Sequence, residues 1–166
     1  MHTASPSDSL PLSATAAWQR AVALSQRATL ALSTLAPAVD LLIRVLVASV
    51  FFKSGLTKLA NWDSTVSLFE NEYAVPLLSP ELAALFGTGV ELIFPVLLVL
   101  GLGGRLAAFV LFVFNIVAVI SYPDIGDIGI KDHQTWGLLL LVTLLHGPGR
   151  LSLDRLIGQR LETRRH

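Results

Sequence analysis

Charged residues stand where an apolar sequence leaves little water for them: Asp40, Arg44, Lys53 and Lys58 in DLLIRVLVASVFFKSGLTKL, and Glu91 in VELIFPVLLVL. An ionisable group inside a membrane-crossing segment is costly to place there, so such residues are the first candidates for function. At helical spacing Asp40, Arg44, Gly55 and Lys58 fall on one stripe, which must face protein, while Lys53 points the opposite way and can snorkel toward headgroups. Asp40 and Arg44, one turn apart, can pair within their own helix, and Gly55 lets a neighbouring backbone come close. Ala84, Gly87, Thr88 and Pro95 give the Glu91 face a small, tightly packable surface. Counting helical rise from the centre of each segment puts Arg44 and Glu91 within ~6 Å of the same depth. This predicts an Arg44–Glu91 ion pair, which either fixes helix register or holds Glu91 as a proton or ligand site.

A second set gathers at the ends of the same segments. Lys58, Glu81, Tyr122, Lys131, His133 and Trp136 form a candidate outer pocket, with Asp124, Asp127, Asp132 and Gln134 nearby. An aromatic wall, a few polar orienting groups and a histidine that exchanges protons suit a small-molecule site. The outer interface of any small helix bundle carries similar residues, so a purely interfacial role stands beside the functional one. Asn115 is expected to hydrogen-bond between helices. No metal site is expected: His133 and His146 lie ~20 Å apart along one helix. The chain has no cysteine, hence no thiolate ligand, disulfide or iron–sulfur cluster, and its one methionine is Met1. The run GLGG before Arg105 reads as a turn.

The elements that must carry these residues follow from composition. Of 166 residues 53% are hydrophobic and 14% charged, too apolar for an ordinary soluble globule, so the lipid bilayer is the expected solvent. Zero formal net charge argues against nucleic acid as a partner. Apolar segments run from about residues 39 to 56, 82 to 100, 106 to 122 and 135 to 145. The last spans a core of about 30 Å only if extended over 132 to 147. The prediction is an all-α membrane protein, a bundle of four transmembrane helices with an N-terminal amphipathic surface helix. Three parts result: residues 1–35, a polar tail and interfacial helix; residues 36–147, the spanning domain; and residues 148–166, a basic tail.

In the interfacial helix Trp18, Ala21, Val22, Ala28 and Leu32 share one face opposite Arg20 and Arg27. An extension of the first span is the alternative, and Pro37 favours a break. Arg20, Arg27, Arg105, Arg150, Arg155, Arg160, Arg164 and Arg165 fall in the tails and the 101–105 connection, and Asp and Glu dominate the other connections. The positive-inside rule then places both termini in the cytoplasm. The long connection near residues 58–80, with Trp62, Phe69 and Tyr73, is expected to hold a short helix at the outer interface. No cleavable signal peptide is expected before the first apolar run.

RVLVASVFFKSGLTKL, a central Glu91 in the second span and GLGGRLAA opening the third together resemble the DoxX family of small bacterial membrane proteins. Arg44, Gly55 and Lys58 match that family's first-helix elements, Glu91 its second-helix acid, and Gly104, Arg105 and Ala107 its hairpin; the likeness covers roughly residues 38 to 146. The resemblance implies a four-helix protein of the bacterial inner membrane with a link to electron transfer, since relatives include a subunit of thiosulfate:quinone oxidoreductase. The leading expectation is a non-catalytic membrane anchor or organising subunit of a redox-related complex, with a redox protein partner and a homo-oligomer among its associations. The alternative is a quinone-linked oxidoreductase subunit in which Arg44 and Glu91 handle protons and His133, Trp136 and Lys58 hold a quinone. A small-solute carrier is the third reading. No cofactor other than such a quinone is implied.

Overall fold

The structure is a computed structural model that describes residues 12–163, with side chains from Trp18 onward. The polar tail up to residue 11, and Arg164 and Arg165 of the basic tail, lie outside the described residues. All regular structure among them is helical: α1 (Leu12–Ala60), α2 (Trp62–Asn71), α3 (Pro80–Leu100), α4 (Gly104–Ser121), α5 (Gly126–His146) and α6 (Leu153–Thr163).

Two compact units divide at Ala36 and Pro37. In the first, side chains from Trp18 to Ala36 are exposed except for Val22, which is half-buried. The hydroxyls of Ser25, Thr29, Ser33 and Thr34 donate to carbonyls three or four residues back, as Ser and Thr do on solvent- or lipid-facing helices. The expected break at Pro37 does not occur, for the proline lies inside α1. Its ring removes only the N–H that the Ser33 carbonyl would have accepted.

The second unit carries the remaining structure. Among the described residues, three helices are long and apolar enough to cross a membrane: α1 over Trp18–Ala60, which belongs in part to the first unit, α3 and α4. Large apolar side chains face outward along them, among them Leu46, Phe86, Ile93, Phe109, Ile116 and Ile120, and the polar Arg44, Thr88, Glu91 and Asn115 are buried. Lipid as solvent produces this distribution, because an apolar exterior costs nothing there whereas a polar group must find its partner inside. The core joins Val47, Ala48 and Phe51 of α1 to Leu98 of α3, Ala107, Ala108 and Leu111 of α4 and Leu140 of α5. A smaller cluster packs Phe69 of α2 against Ala83 and Ala84 of α3.

Local chemistry sets the helix limits. Asn61 caps α2 by accepting from Ser64 N–H, and Ser79 caps α3, which opens with Pro80 and Glu81. α3 ends at Gly101, whose φ of 63° is the left-handed conformation that favours glycine. A side chain there would also collide, since its Cβ would lie 2.5 Å from Ser152 Cβ and 2.8 Å from Arg44 Nη1. Gly103 and Gly104 open α4 without a local side-chain cap, and the Asp154 carboxylate accepts from both their N–H groups instead, at 2.8 and 3.0 Å. That carboxylate therefore serves as the N-cap of a helix it is not part of.

Candidate functional site

Gly55 and Glu91 set the register between α1 and α3. A Cβ on Gly55 would stand 3.0 Å from Glu91 Cβ and from Leu92 Cγ, so the glycine is what lets the two helices approach at this level. Lys58, one turn beyond Gly55, then reaches the acid. Its ammonium donates to both Glu91 oxygens, at 2.7 and 2.6 Å, and to Ser54 Oγ at 2.9 Å. Among the described residues this is the single ion pair, with the lysine side chain 13% exposed and the glutamate 6%.

The expected Arg44–Glu91 pair is not formed. Arg44 is fully buried, and its guanidinium closes the end of α3: Nη1 donates to the carbonyls of Leu98 and Val99, at 3.2 and 2.9 Å, and Nη2 to that of Leu151 at 2.5 Å. The planar fork fits the carbonyls at the C-terminal end of α3, one of which, Leu98, also accepts from Gly101 N–H, and the positive charge suits the negative end of the helix dipole. Asp40 makes no ion pair with Arg44 either. Arg44 Nε faces the backbone carbonyl of Asp40 at 3.4 Å, and the Asp40 carboxylate lies against Gly149, whose φ is 74°. Asp40 and Arg44 thus belong to the arginine-rich end of the bundle, and Glu91 belongs with Lys58.

Lys58 and Glu91 are part of the wall of a partly open cavity of about 460 Å³ lined by residues of α1, α2, α3, α4 and α5 and of the connections between them. Tyr122, His133 and Trp136 line it as well, so four of the six outer-pocket candidates come together there with Glu91. Glu81 and Lys131 do not: both are exposed, Glu81 in the first turn of α3 and Lys131 on α5. Sequence reasoning left out Ser54, Phe51, Phe69, Tyr73, Phe114 and Ser121, which also line it. For Phe69 and Tyr73 a signal was present in the aromatics of the connection that became α2; for Ser54 and Ser121 there was none.

Aromatic rings line part of the wall, among aliphatic side chains. Phe51 meets Phe114 and Trp136 edge-on at 6.3 and 6.0 Å, and Trp136 meets His133 at 4.7 Å. Tyr73 links Phe69 and Tyr122, at 4.8 and 5.0 Å. Burial raises the Tyr73 phenol above its ordinary value, and the negative charges of Glu91, Tyr122 and Glu72 push in the same direction. Ser121 is 2% exposed and its hydroxyl has no hydrogen-bond partner among the described residues, a polar atom left over in the wall of an apolar space.

His133 is held by Asn115, which forms the interhelical bonds expected of it. Asn115 Nδ2 donates to the His133 carbonyl at 2.9 Å, and Oδ1 lies 2.8 Å from His133 Nδ1. Gly137 leaves room for the carboxamide against α5, since a Cβ there would stand 3.2 Å from Asn115 Nδ2.

Outward apolar helices and inward charge define, among the described residues, an all-helical membrane protein. The family model for DoxX matches residues 39–123, and the chain belongs to the DoxX family. An uncharacterised protein of Haemophilus influenzae is 34% identical over 126 residues, covering 70% of this chain and 82% of that one. No solved structure matches the chain significantly.

Proposed function

We propose that this protein is the membrane subunit of a redox-related assembly and that its cavity binds a quinone-class ligand. The observation that carries the reading is the cavity itself: about 460 Å³, walled in part by aromatic rings, with a charged pair in its lining. That volume falls at the lower end of the range for small-molecule sites. A planar ring stacks between aromatic faces, and its oxygen atoms need a few fixed polar partners. Tyr73, Tyr122, His133 and Trp136 carry such groups in the lining. The Lys58–Glu91 pair holds opposite charges in the wall, and a proton passing from Lys58 to Glu91 neutralises both without leaving a lone charge in the membrane. A quinone-class ligand bound there supplies two-electron, two-proton redox chemistry; a partner protein supplies or removes the electrons.

The proposal places the protein in the bacterial inner membrane with four spans, α1, α3, α4 and α5, and both ends in the cytoplasm. α5 has 21 residues, about 31 Å of helix, enough to cross, although its first turns carry Asp127, Lys131, Asp132 and His133. The arginines of α6 and of the 101–105 connection then lie inside.

The test is titration of the protein, purified in mild detergent, with a decyl-substituted benzoquinone while Trp136 fluorescence is followed, with Trp136→Phe as control. Saturable quenching that the control lacks supports the reading. Absence of saturable binding leaves a membrane anchor in which Lys58 and Glu91 only set helix register.

A further inference from the structure

α6 presents an apolar face that the rest of the molecule does not bury. At 3.6 residues per turn Leu153, Leu156, Ile157 and Leu161 share one side of the helix, and Arg155, Gln159 and Glu162 share the other. Leu156, Ile157 and Leu161 are 54, 47 and 59% exposed, and no residue of α6 is buried. Eleven residues make about 16 Å of helix, too short to cross a hydrocarbon core of about 30 Å. A lone helix of this length is also marginal in water, so the apolar face needs a surface to lie on.

The start of α6 is fastened where the spans end. Asp154 N–H donates to the Gly101 carbonyl at 3.0 Å, the Asp154 carboxylate accepts from Gly103 and Gly104, and Arg44 donates to the Leu151 carbonyl. Gly101 closes α3 and Gly104 opens α4, both long enough to cross a membrane. The first turn of α6 is therefore held at the depth where hydrocarbon gives way to headgroups.

Charge identifies the surface. Residues 148–166 carry Arg150, Arg155, Arg160, Arg164 and Arg165 against Asp154 and Glu162, a local excess of three positive charges in a chain whose formal net charge is zero. Arg105 opens α4 at the same end. Arg160 falls between Leu153 and Leu156 around the helix, so its stem covers apolar surface while its guanidinium reaches a phosphate. We propose that α6 is an interfacial helix that docks on anionic phospholipid. Leu156, Ile157 and Leu161 enter the boundary between headgroups and acyl chains, Arg160 meets phosphate, and the neighbouring arginines add attraction to the charged surface. The inference is independent of what the cavity binds.

The chain has no cysteine, so one introduced thiol carries a single spin label. Full-length Ile157→Cys, Leu161→Cys, Gln159→Cys and Glu162→Cys are labelled with a nitroxide. Each is placed in nanodiscs of phosphatidylcholine alone or mixed with phosphatidylglycerol. Collision with oxygen, which concentrates in lipid, is compared with collision with a water-soluble nickel chelate. In the mixed discs the labels at 157 and 161 should favour oxygen and those at 159 and 162 nickel. In phosphatidylcholine alone the first two should become more open to nickel. Arg160→Gln in the mixed discs should lower the ratio of docked to undocked helix about fivefold. Labels at 157 and 161 open to nickel in the mixed discs overturn the proposal. Shielding of both from oxygen and nickel alike also overturns it, because protein then covers the face. Equal immersion in the two lipid compositions overturns the requirement for anionic phospholipid.

Discussion

Replacing Lys58 by Met keeps the length of the side chain and removes the one positive charge that pairs with Glu91. Glu91 would keep a carboxylate that is 6% exposed in the wall of a cavity inside the membrane. Breaking a buried pair from one side costs about 3–5 kcal/mol, more than the pair gains over an apolar replacement. The loss has a ceiling, because the orphaned acid can take a proton. That neutralisation costs about 1.36 kcal/mol for each pH unit above an ordinary glutamate value near 4.3, hence at most about 3.7 kcal/mol at pH 7 and about 1.6 at pH 5.5. Lys58→Met should therefore destabilise by about 3–4 kcal/mol at pH 7 and by less than about 2 at pH 5.5. Adding Glu91→Gln should restore most of the loss at pH 7, since no charge is then left unpaired. Reversible unfolding in mixed micelles of dodecyl maltoside and sodium dodecyl sulfate measures all three proteins. A Lys58→Met variant as stable as the wild type at pH 7, or one whose deficit is the same at both pH values, would refute the electrostatic account of this pair.

Arg44→Lys keeps the charge but loses the fork that reaches Leu98, Val99 and Leu151, and should cost about 2–4 kcal/mol in the same unfolding assay. Gly55→Ala forces α1 and α3 apart where its Cβ would stand 3.0 Å from Glu91 Cβ, so a loss of about 1–3 kcal/mol is expected, larger for Gly55→Val. Tyr73 supplies a pH dependence at the alkaline end. Its folded-state value is raised, so its contribution is complete below the ordinary tyrosine value of about 10 and is lost as pH rises through the higher folded value. Tyrosinate absorbance in the folded protein should include a component that appears later than in the denatured chain, and Tyr73→Phe should remove it.

The apolar runs at helical length were readable because lipid demands continuous hydrophobic sequence, and they led to α3 and α4 nearly to the residue. The buried charges were readable for the same reason. Which charges meet was not. Counting from the centre of each apolar run assumed that α1 spans residues 39 to 56, yet the helix continues to Ala60, and its level against α3 is set by close contact at Gly55. Arg44 lies eleven residues from Gly55, about 16 Å along the axis, and Lys58 lies one turn away. The stripe that carries Arg44, Gly55 and Lys58 was right, and the position along it was not. Asp154 gave no signal at all, since a cap supplied from a distant segment leaves no local pattern. The cavity was half visible: its titratable and aromatic members stand out in an apolar sequence, whereas Ser54 and Ser121 look like any other small helix residues.

The cap that Asp154 places on α4 has a consequence for how the molecule is made. Gly103 N–H waits for a carboxylate 51 positions further along the chain, and Arg44 waits for the carbonyl of Leu151. During synthesis α1, α3 and α4 are all complete before either partner emerges, so their shared end stays open until residues 151–154 leave the ribosome. The α3–α4 hairpin then enters the bilayer with its turn unsealed. Leu151 and Asp154 close it, and a chain that stops short of Leu151 would carry α1, α3 and α4 and still lack the fastening that joins them.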